Sequence, residues 1–356
     1  MSLPNPETKM TLNARRTQRG FTLIELMVSI MLFMIVMGAV YGLLAIARKS
    51  RTTASSRAEL MKSIRVALNS VQRDALNVGY SYPTTNPTML PDNKLSGLLG
   101  IPNDINVTRD LVPPVIAGAA VNTNTLSGGT TDQLTLVYRD PTFNVDSAGN
   151  SQTISVGAAT RPSSGIDQIV PVSGGNSACR VNDIMLITGK TSTAMAVITN
   201  LPNTTNIQFG SSDVLAFNSP TASDDPIMTV VTPAAIRRVI LVTYRVLADG
   251  TLVRRLYGND TTMTTSNNYK DEPLVYGVEA MTVQYVLDDG SVTSNPLAGP
   301  DGVQGNADDI PANQLEVRQV RVSITARSTE KDATGQYYKV TMTSTFSTRN
   351  LGYTAA

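Results

Sequence analysis

Between Phe21 and Ala47 the chain runs for 27 residues with a single charged side chain, Glu25. At about 1.5 Å per residue, a helix of that length crosses a hydrocarbon core about 30 Å thick, so the run predicts a membrane-spanning helix. Beyond it the pattern turns amphipathic. Apolar residues recur at Leu60, Ile64, Leu68, Val71, Ala75 and Val78, with Arg57, Lys62, Arg65, Arg73 and Asp74 at positions between them. These steps of three and four are the period of a helix with one buried face. No proline interrupts residues 7–82, so a single helix can continue to about Val78. Gly79 then offers a left-handed cap, and Pro83 blocks resumption. Gly38 and Gly42, four apart within the apolar run, allow close helix approach, although simple tolerance explains them equally well.

Residues 80–130 are rich in Pro, Asn, Thr and Gly, show no sustained period, and read as an irregular connecting region with short pieces of structure. From residue 131 onward, strand-length runs follow: "DQLTLVYRD", "NDIMLITG", "AMAVITNL", "GVEAMTVQYVLDDG", "QLEVRQVRVSITARS" and "QYYKVTMTSTFSTRN". In "AIRRVILVTYRVLADGTLVRRLYG" two alternating strands flank Asp249-Gly250, a dipeptide suited to a type I′ hairpin turn. No helices intervene, which favours antiparallel pairing. The predicted fold is therefore α+β. A membrane-spanning helix over residues 21–47 continues as an amphipathic helix over 48–79 and packs on an antiparallel β-sheet domain formed by 131–356.

Charge and composition narrow the chemistry. The 356 residues carry 29 basic and 28 acidic side chains, so no bulk attraction to nucleic acid is expected. There is no histidine, which excludes histidine-based triads and zinc sites, and the lone Cys179 excludes an intramolecular disulfide. Cys179 reads as a buried small hydrophobe rather than a reactive thiol. No phosphate-cradling GxxxxGK[ST] occurs, so an enzyme is not expected. In "LAGPDGVQGNADDIPAN", Asp301, Asn306, Asp308 and Asp309 lie among glycines, and Asp288 and Asp289 can join them if a hairpin brings them close. Oxygen ligands on such a turn can collect Ca²⁺, but a solvated turn is the preferred reading, because these are also the commonest turn residues. Arg237, Arg238, Arg254 and Arg255 face one another across the expected hairpin. They read as a sheet face with Asp or Glu partners in preference to a DNA or polysaccharide patch.

Glu25 needs a reason. A carboxylate in a membrane segment costs on the order of 2.5 to 3.5 kcal/mol on insertion scales, so a partner should neutralise it. The basic stretch containing Lys9, Arg15, Arg16 and Arg19 ends in Gly20, ahead of the apolar run, whereas an ordinary secretory signal is cut after its apolar run. Cleavage after Gly20 would free an α-ammonium on Phe21. That ammonium can meet a carboxylate five positions into the helix of a neighbouring copy.

"RGFTLIELMVSI" resembles the class III signal of type IV prepilins and pseudopilins, with Gly20 at −1, Phe21 at +1 and Glu25 at +5. The resemblance implies that residues 1–20 are a leader removed after Gly20 by prepilin peptidase, that Phe21 is N-methylated, and that the apolar helix is kept as the core of a fibre. The later series "YRVLADGTLVRRLYG", "PLVYGVEAMTVQYVLDDG", "VRQVRVSITARS" and "FSTRNLG" resembles PilW-type minor pilins. This implies a single-pass inner-membrane protein with an extracytoplasmic C-terminal domain. Such a subunit primes a type IV pilus at or near its tip, together with other minor pilins, the major pilin and a PilY-type adhesin. A J-like pseudopilin of a type II secretion system shares the signal, and a tip adhesin or DNA-uptake pilin is a further alternative. The absence of a cysteine pair departs from many major pilins.

Overall fold

The computed structural model describes residues 20–80, 82, 88–103, 109–172, 174–230, 234–299, 304, 315–331 and 335–348. Helix α1 spans Leu23–Asn77 and is followed by Gly79 at φ 75, the left-handed conformation expected of a terminating glycine. The chain divides into two compact units between Ser55 and Ser56. In the first, every described residue from Gly20 to Thr52 is exposed.

The second unit is β-rich. Strand β1 (Thr88–Pro91), the short helix α2 (Lys94–Leu99) and β2 (Arg109–Leu111) precede the long strands β3 (Val115–Asn124) and β4 (Gly129–Arg139). Six short strands follow: β5 (Ile154–Val156), β6 (Thr160–Ser163), β7 (Ile166–Ile169), β8 (Ile184–Thr188), β9 (Thr193–Val197) and β10 (Ile207–Gly210). The last seven are β11 (Ala234–Val246), β12 (Leu252–Tyr257), β13 (Tyr269–Val275), β14 (Val278–Val286), β15 (Val292–Thr293), β16 (Gln319–Lys331) and β17 (Tyr337–Ser347). Among the described residues they form three sheets. The largest runs β13-β12-β11-β8-β9-β1-β2, with β3, β4 and β5 attached beside β11; a second is β10-β7-β6; the third is β15-β14-β16-β17. Pairing is antiparallel except between β1 and β9.

The α+β class holds, and so does the stripe read from the sequence. Leu60, Ile64, Leu68, Val71, Ala75 and Val78 are all buried, joined by Ala67. They meet the even-numbered face of β4 (Leu134, Leu136, Tyr138) and the inner faces of β11, β14 and β16 in one hydrophobic cluster. Full burial of a side chain such as Ile64 or Leu68 contributes about 1.5–3 kcal/mol, which docks this part of the helix on the sheets.

Three expectations are corrected. Residues 80–130 hold the short pieces expected, β1, α2 and β2, but also a ten-residue strand, β3, paired with β4. Small residues hid the strand, because Ala117, Gly118, Ala119 and Ala120 interrupt the β-branched residues of "VIAGAAVNTN" at a bulge, with Ala120 at φ 53. The β11–β12 turn is not type I′. Gly250 has φ 80 while Asp249 does not share a positive φ, and Gly250 N–H donates to Leu247 O (2.9 Å) as Leu247 N–H donates to Thr251 O (2.8 Å). That is a type I turn closed by a glycine bulge, the usual outcome when the loop is one residue longer. Finally, the arginine pairs do not face one another. Register places Arg254 and Arg255 opposite Tyr244 and Thr243, whereas Arg237 and Arg238 lie beyond the end of β12, opposite Leu186 and Met185 of β8.

Candidate functional site

The head of α1 is built by a short local code. Thr22 precedes the first helical residue, and Glu25 lies three positions later. Glu25 N–H donates to Thr22 Oγ1 (3.3 Å), and Glu25 Oε2 accepts from Thr22 N–H (3.1 Å) and Thr22 Oγ1 (3.0 Å). This reciprocal capping box satisfies orphan donors at the helix start, and Thr-x-x-Glu is its sequence signature. The local partner of Glu25 is thus Thr22, in addition to the neighbouring-copy ammonium expected from the sequence. All three bonds survive a cut after Gly20, since they involve residues 22 and 25. Both side-chain acceptances fall on Oε2, so Oε1 is uncommitted among the described residues. A second donor, such as an ammonium, can therefore be accepted without breaking the cap.

Around this head the surface is apolar. Phe21 is 82% exposed, and Leu23, Ile24, Met31, Phe33, Met34, Ile35, Tyr41, Leu43 and Ile46 are likewise exposed. Gly20 is exposed, and a side-chain carbon added there, or at Gly38 or Gly42, would meet nothing within 4 Å. A continuous apolar helical surface of this length is stable only in lipid or against other apolar helices. By length and composition α1 can cross a membrane.

The other candidate residues take different roles. Cys179 is buried, and burial pushes its thiol up to about 12, which removes it from nucleophilic chemistry at neutral pH. Arg238 is ion-paired with Asp140 (2.8 Å) and Asp183 (3.3 Å), and Arg255 binds Asp271 through two bonds of 2.7 Å. Asp301, Asn306, Asp308 and Asp309 lie outside the described residues. Asp288 instead faces Arg318 at 3.4 Å, and Asp289 accepts from Ser291 N–H (2.8 Å). Among the described residues no group of three or more acidic or cysteine side chains is placed to hold a metal.

Asp74 departs most from its reading as a residue on the polar side of the helix, for it is 1% exposed. Its carboxylate accepts from Tyr138 Oη (3.1 Å), Tyr244 Oη (2.7 Å) and Arg254 Nε (2.7 Å). Ser70 Oγ lies 3.0 Å from Tyr244 Oη, and Arg254 also reaches Glu272 (3.0 Å). Burial works to lower the Arg254 pKa, but the hydrogen bond and charge of Asp74 hold it above its ordinary value. Burial and the Asp74 charge together push the Tyr138 and Tyr244 hydroxyls upward. The partners stand 64, 170 and 180 residues away, so local sequence gave no sign of them.

Residues 15–41 match the family model of the prokaryotic N-terminal methylation motif, covering Arg15, Arg16, Arg19, Gly20, Phe21, the capping box and most of the apolar run. A search of curated proteins found no match to the chain.

Proposed function

We propose, from the match of residues 15–41 to the prokaryotic N-terminal methylation motif, that the chain is a type IV prepilin or pseudopilin and specifically a PilW-like minor pilin helping to initiate a type IV pilus. The family's motif implies processing by prepilin peptidase, membrane anchoring through the apolar helix, and assembly with other pilins. In the proposal, cleavage follows Gly20, the new Phe21 terminus is methylated, and α1 buries its exposed apolar surface against neighbouring helices. Glu25 keeps Thr22 as its cap and receives the Phe21 ammonium of an adjacent subunit on Oε1. In the low dielectric of a helix core, that pairing is strengthened and misregister is penalised. The tip location, the other minor pilins, the major pilin and a PilY-type adhesin as partners belong to the same proposal. The observation that carries it is the juxtaposition at the head of α1: a carboxylate with one oxygen engaged by the cap and one open, four residues from the prospective amine.

Fractionation tests it. Fibres sheared from cells are separated from membranes, and the peptide beginning at Phe21 is quantified in both for the wild type and for Glu25→Gln. The expected result is a methylated Phe21 peptide, substoichiometric in wild-type fibres, with Glu25→Gln processed and inserted normally but strongly depleted from fibres. A processed wild-type chain confined to membranes favours the pseudopilin alternative. Normal incorporation of Glu25→Gln removes the proposed role of Glu25, and retention of residues 1–20 overturns the reading.

A further inference from the structure

Among the described residues, β17 ends the four-stranded sheet and leaves one of its sides without a neighbour. On β16 the inner-face residues Val320, Val322, Ile324 and Ala326 are each 0% exposed. Their register partners on β17 are Phe346, Ser344, Met342 and Val340. Phe346 is buried, but Ser344, Met342 and Val340 are only half-buried, so the hydrophobic layer is cut off in mid-row. On the outer face Thr341, Thr343 and Thr345 are exposed, and a hydroxyl ladder crosses from β16 through Thr325–Thr341 (2.8 Å) and Thr343–Ser323 (2.9 Å). The single charge of the strand, Lys339, stands at its start and pairs at 2.6 Å with Glu279, which also faces Arg327 at 3.5 Å.

Among the described residues the other sheet edges are protected as exposed edges usually are, and β10 is four residues long with Gln208 bridged to Asn200. β13 carries Lys270, Asp271, Glu272 and Pro273; β6 contains Arg161 and Pro162; β3 is bulged; β2, β5 and β15 are only two or three residues long. From Lys339 to Ser347, β17 has no proline and no register shift. A long, regular edge that is uncharged from Val340 to Ser347 and bears a half-covered apolar row has the chemistry of a strand acceptor, where backbone bonds supply affinity and alternate side chains supply selectivity.

We propose that the outer edge of β17 accepts an extended segment of a different subunit of the assembly, a neutral segment alternating apolar and hydroxyl side chains. Its apolar residues would flank Val340 and Met342, completing the burial that β16 already has, and its hydroxyls would extend the threonine ladder. This inference rests on the fibre reading above. In a fibre whose helices run parallel, copies of one chain share a polarity, so a two-fold antiparallel pairing of β17 with itself is excluded. A head-to-tail contact between copies would need a second edge of matching length and pattern, and the other edges described above do not supply one.

The full-length chain tests this through Thr345→Cys. Cys179 is buried, so the introduced thiol is the one open to a maleimide–benzophenone photo-crosslinker applied to intact cells. Fibres and membranes are then isolated and the crosslinked peptides sequenced, with Ser147→Cys as an exposed site away from the edge. The expected product joins residue 345 to a second polypeptide through a peptide that alternates apolar and hydroxyl residues. Its yield falls about tenfold or more when Thr341→Lys and Thr343→Lys place charges along the edge. The proposal is overturned if the yield at 345 does not exceed that at 147, if the lysine pair leaves it unchanged, or if the attached peptide is β17 of a second copy. Fibre incorporation, read from the Phe21 peptide in the same samples, separates the two ideas. With that peptide present in fibres and no edge product, the edge proposal alone fails; with it missing, the fibre reading fails as well.

Discussion

Asp74 shows how much a single side chain can conceal. On the helix it lies between Val71 and Ala75, both buried, and beside Arg73, which is well exposed, so local pattern assigns it to either face. Its charge favours the wet face, and the observed burial requires the convergence of Tyr138, Tyr244 and Arg254 from β4, β11 and β12. Those residues look apolar or merely basic in their own strands, and only the sheet register aligns them. Replacing Asp74 with Ala leaves the Arg254 guanidinium buried with only a half-exposed Glu272 beside it. Breaking a buried pair in this way costs about 3–5 kcal/mol. Asp74→Asn, which keeps an acceptor oxygen, should cost less. Denaturant unfolding of the detergent-solubilised full-length chain measures both; an Ala variant within 1 kcal/mol of wild type, on the order of a surface substitution, would remove Asp74 from the forces that seat the helix. Thr22 is the opposite case, because its capping box is fully legible as Thr-x-x-Glu at the head of an apolar run.

At the scale of elements, the long strands β14 and β16 were readable because one face is buried along most of their length, and β11 and β17 because apolar or β-branched residues run through them. The small sheet β10-β7-β6 was not, since strands of four residues carry too little pattern to separate from loop. What pins it is an ionic cluster. Arg161 on β6 binds Asp167 on β7 (2.8 and 3.1 Å) and Asp225 (2.7 Å), and Asp225 Oδ1 accepts from Ile227 N–H (2.9 Å). Both carboxylates are 0% exposed, so two acids share one guanidinium away from water. Burial, then the hydrogen bond and charge of Asp167, push Asp225 up to about 7, against the opposing pull of Ile227 N–H and Arg161. The folded pKa exceeds the unfolded one, so the folded state holds the extra proton. Its stabilising contribution is complete below about pH 4 and is lost as pH rises toward 7, with a slope of at most about 1.4 kcal/mol per pH unit. Asp225→Asn carries no titrating proton there. The stability of Asp225→Asn relative to wild type should therefore rise between about pH 4 and pH 7 and level off above, in parallel denaturant titrations. A flat difference would show that Asp225 does not hold an extra proton in the folded state.

Over the whole molecule, the two parts of α1 answer to different surroundings, and the sequence announced this by switching from unbroken apolar residues to a stripe of period three and four. From Gly20 to Thr52 no described residue is buried, whereas Leu60 is the first of six apolar positions of α1 in the core of the second unit. The unit from Ser56 holds three buried clusters of its own. A chain beginning at Arg51 should fold cooperatively, melt within a few degrees of the detergent-solubilised full-length protein, and stay in the aqueous fraction on flotation with lipid vesicles. In that shortened chain the amphipathic part still carries its load. Ile64 is 0% exposed, and its truncation to Ala should cost about 2–5 kcal/mol through lost burial and the cavity left behind. If the shortened chain instead melts without cooperativity, the apolar part of α1 supports the fold as well as the assembly. If it folds but Ile64→Ala is neutral, residues 56–77 are an appendage, and the stripe that predicted their docking has some other cause.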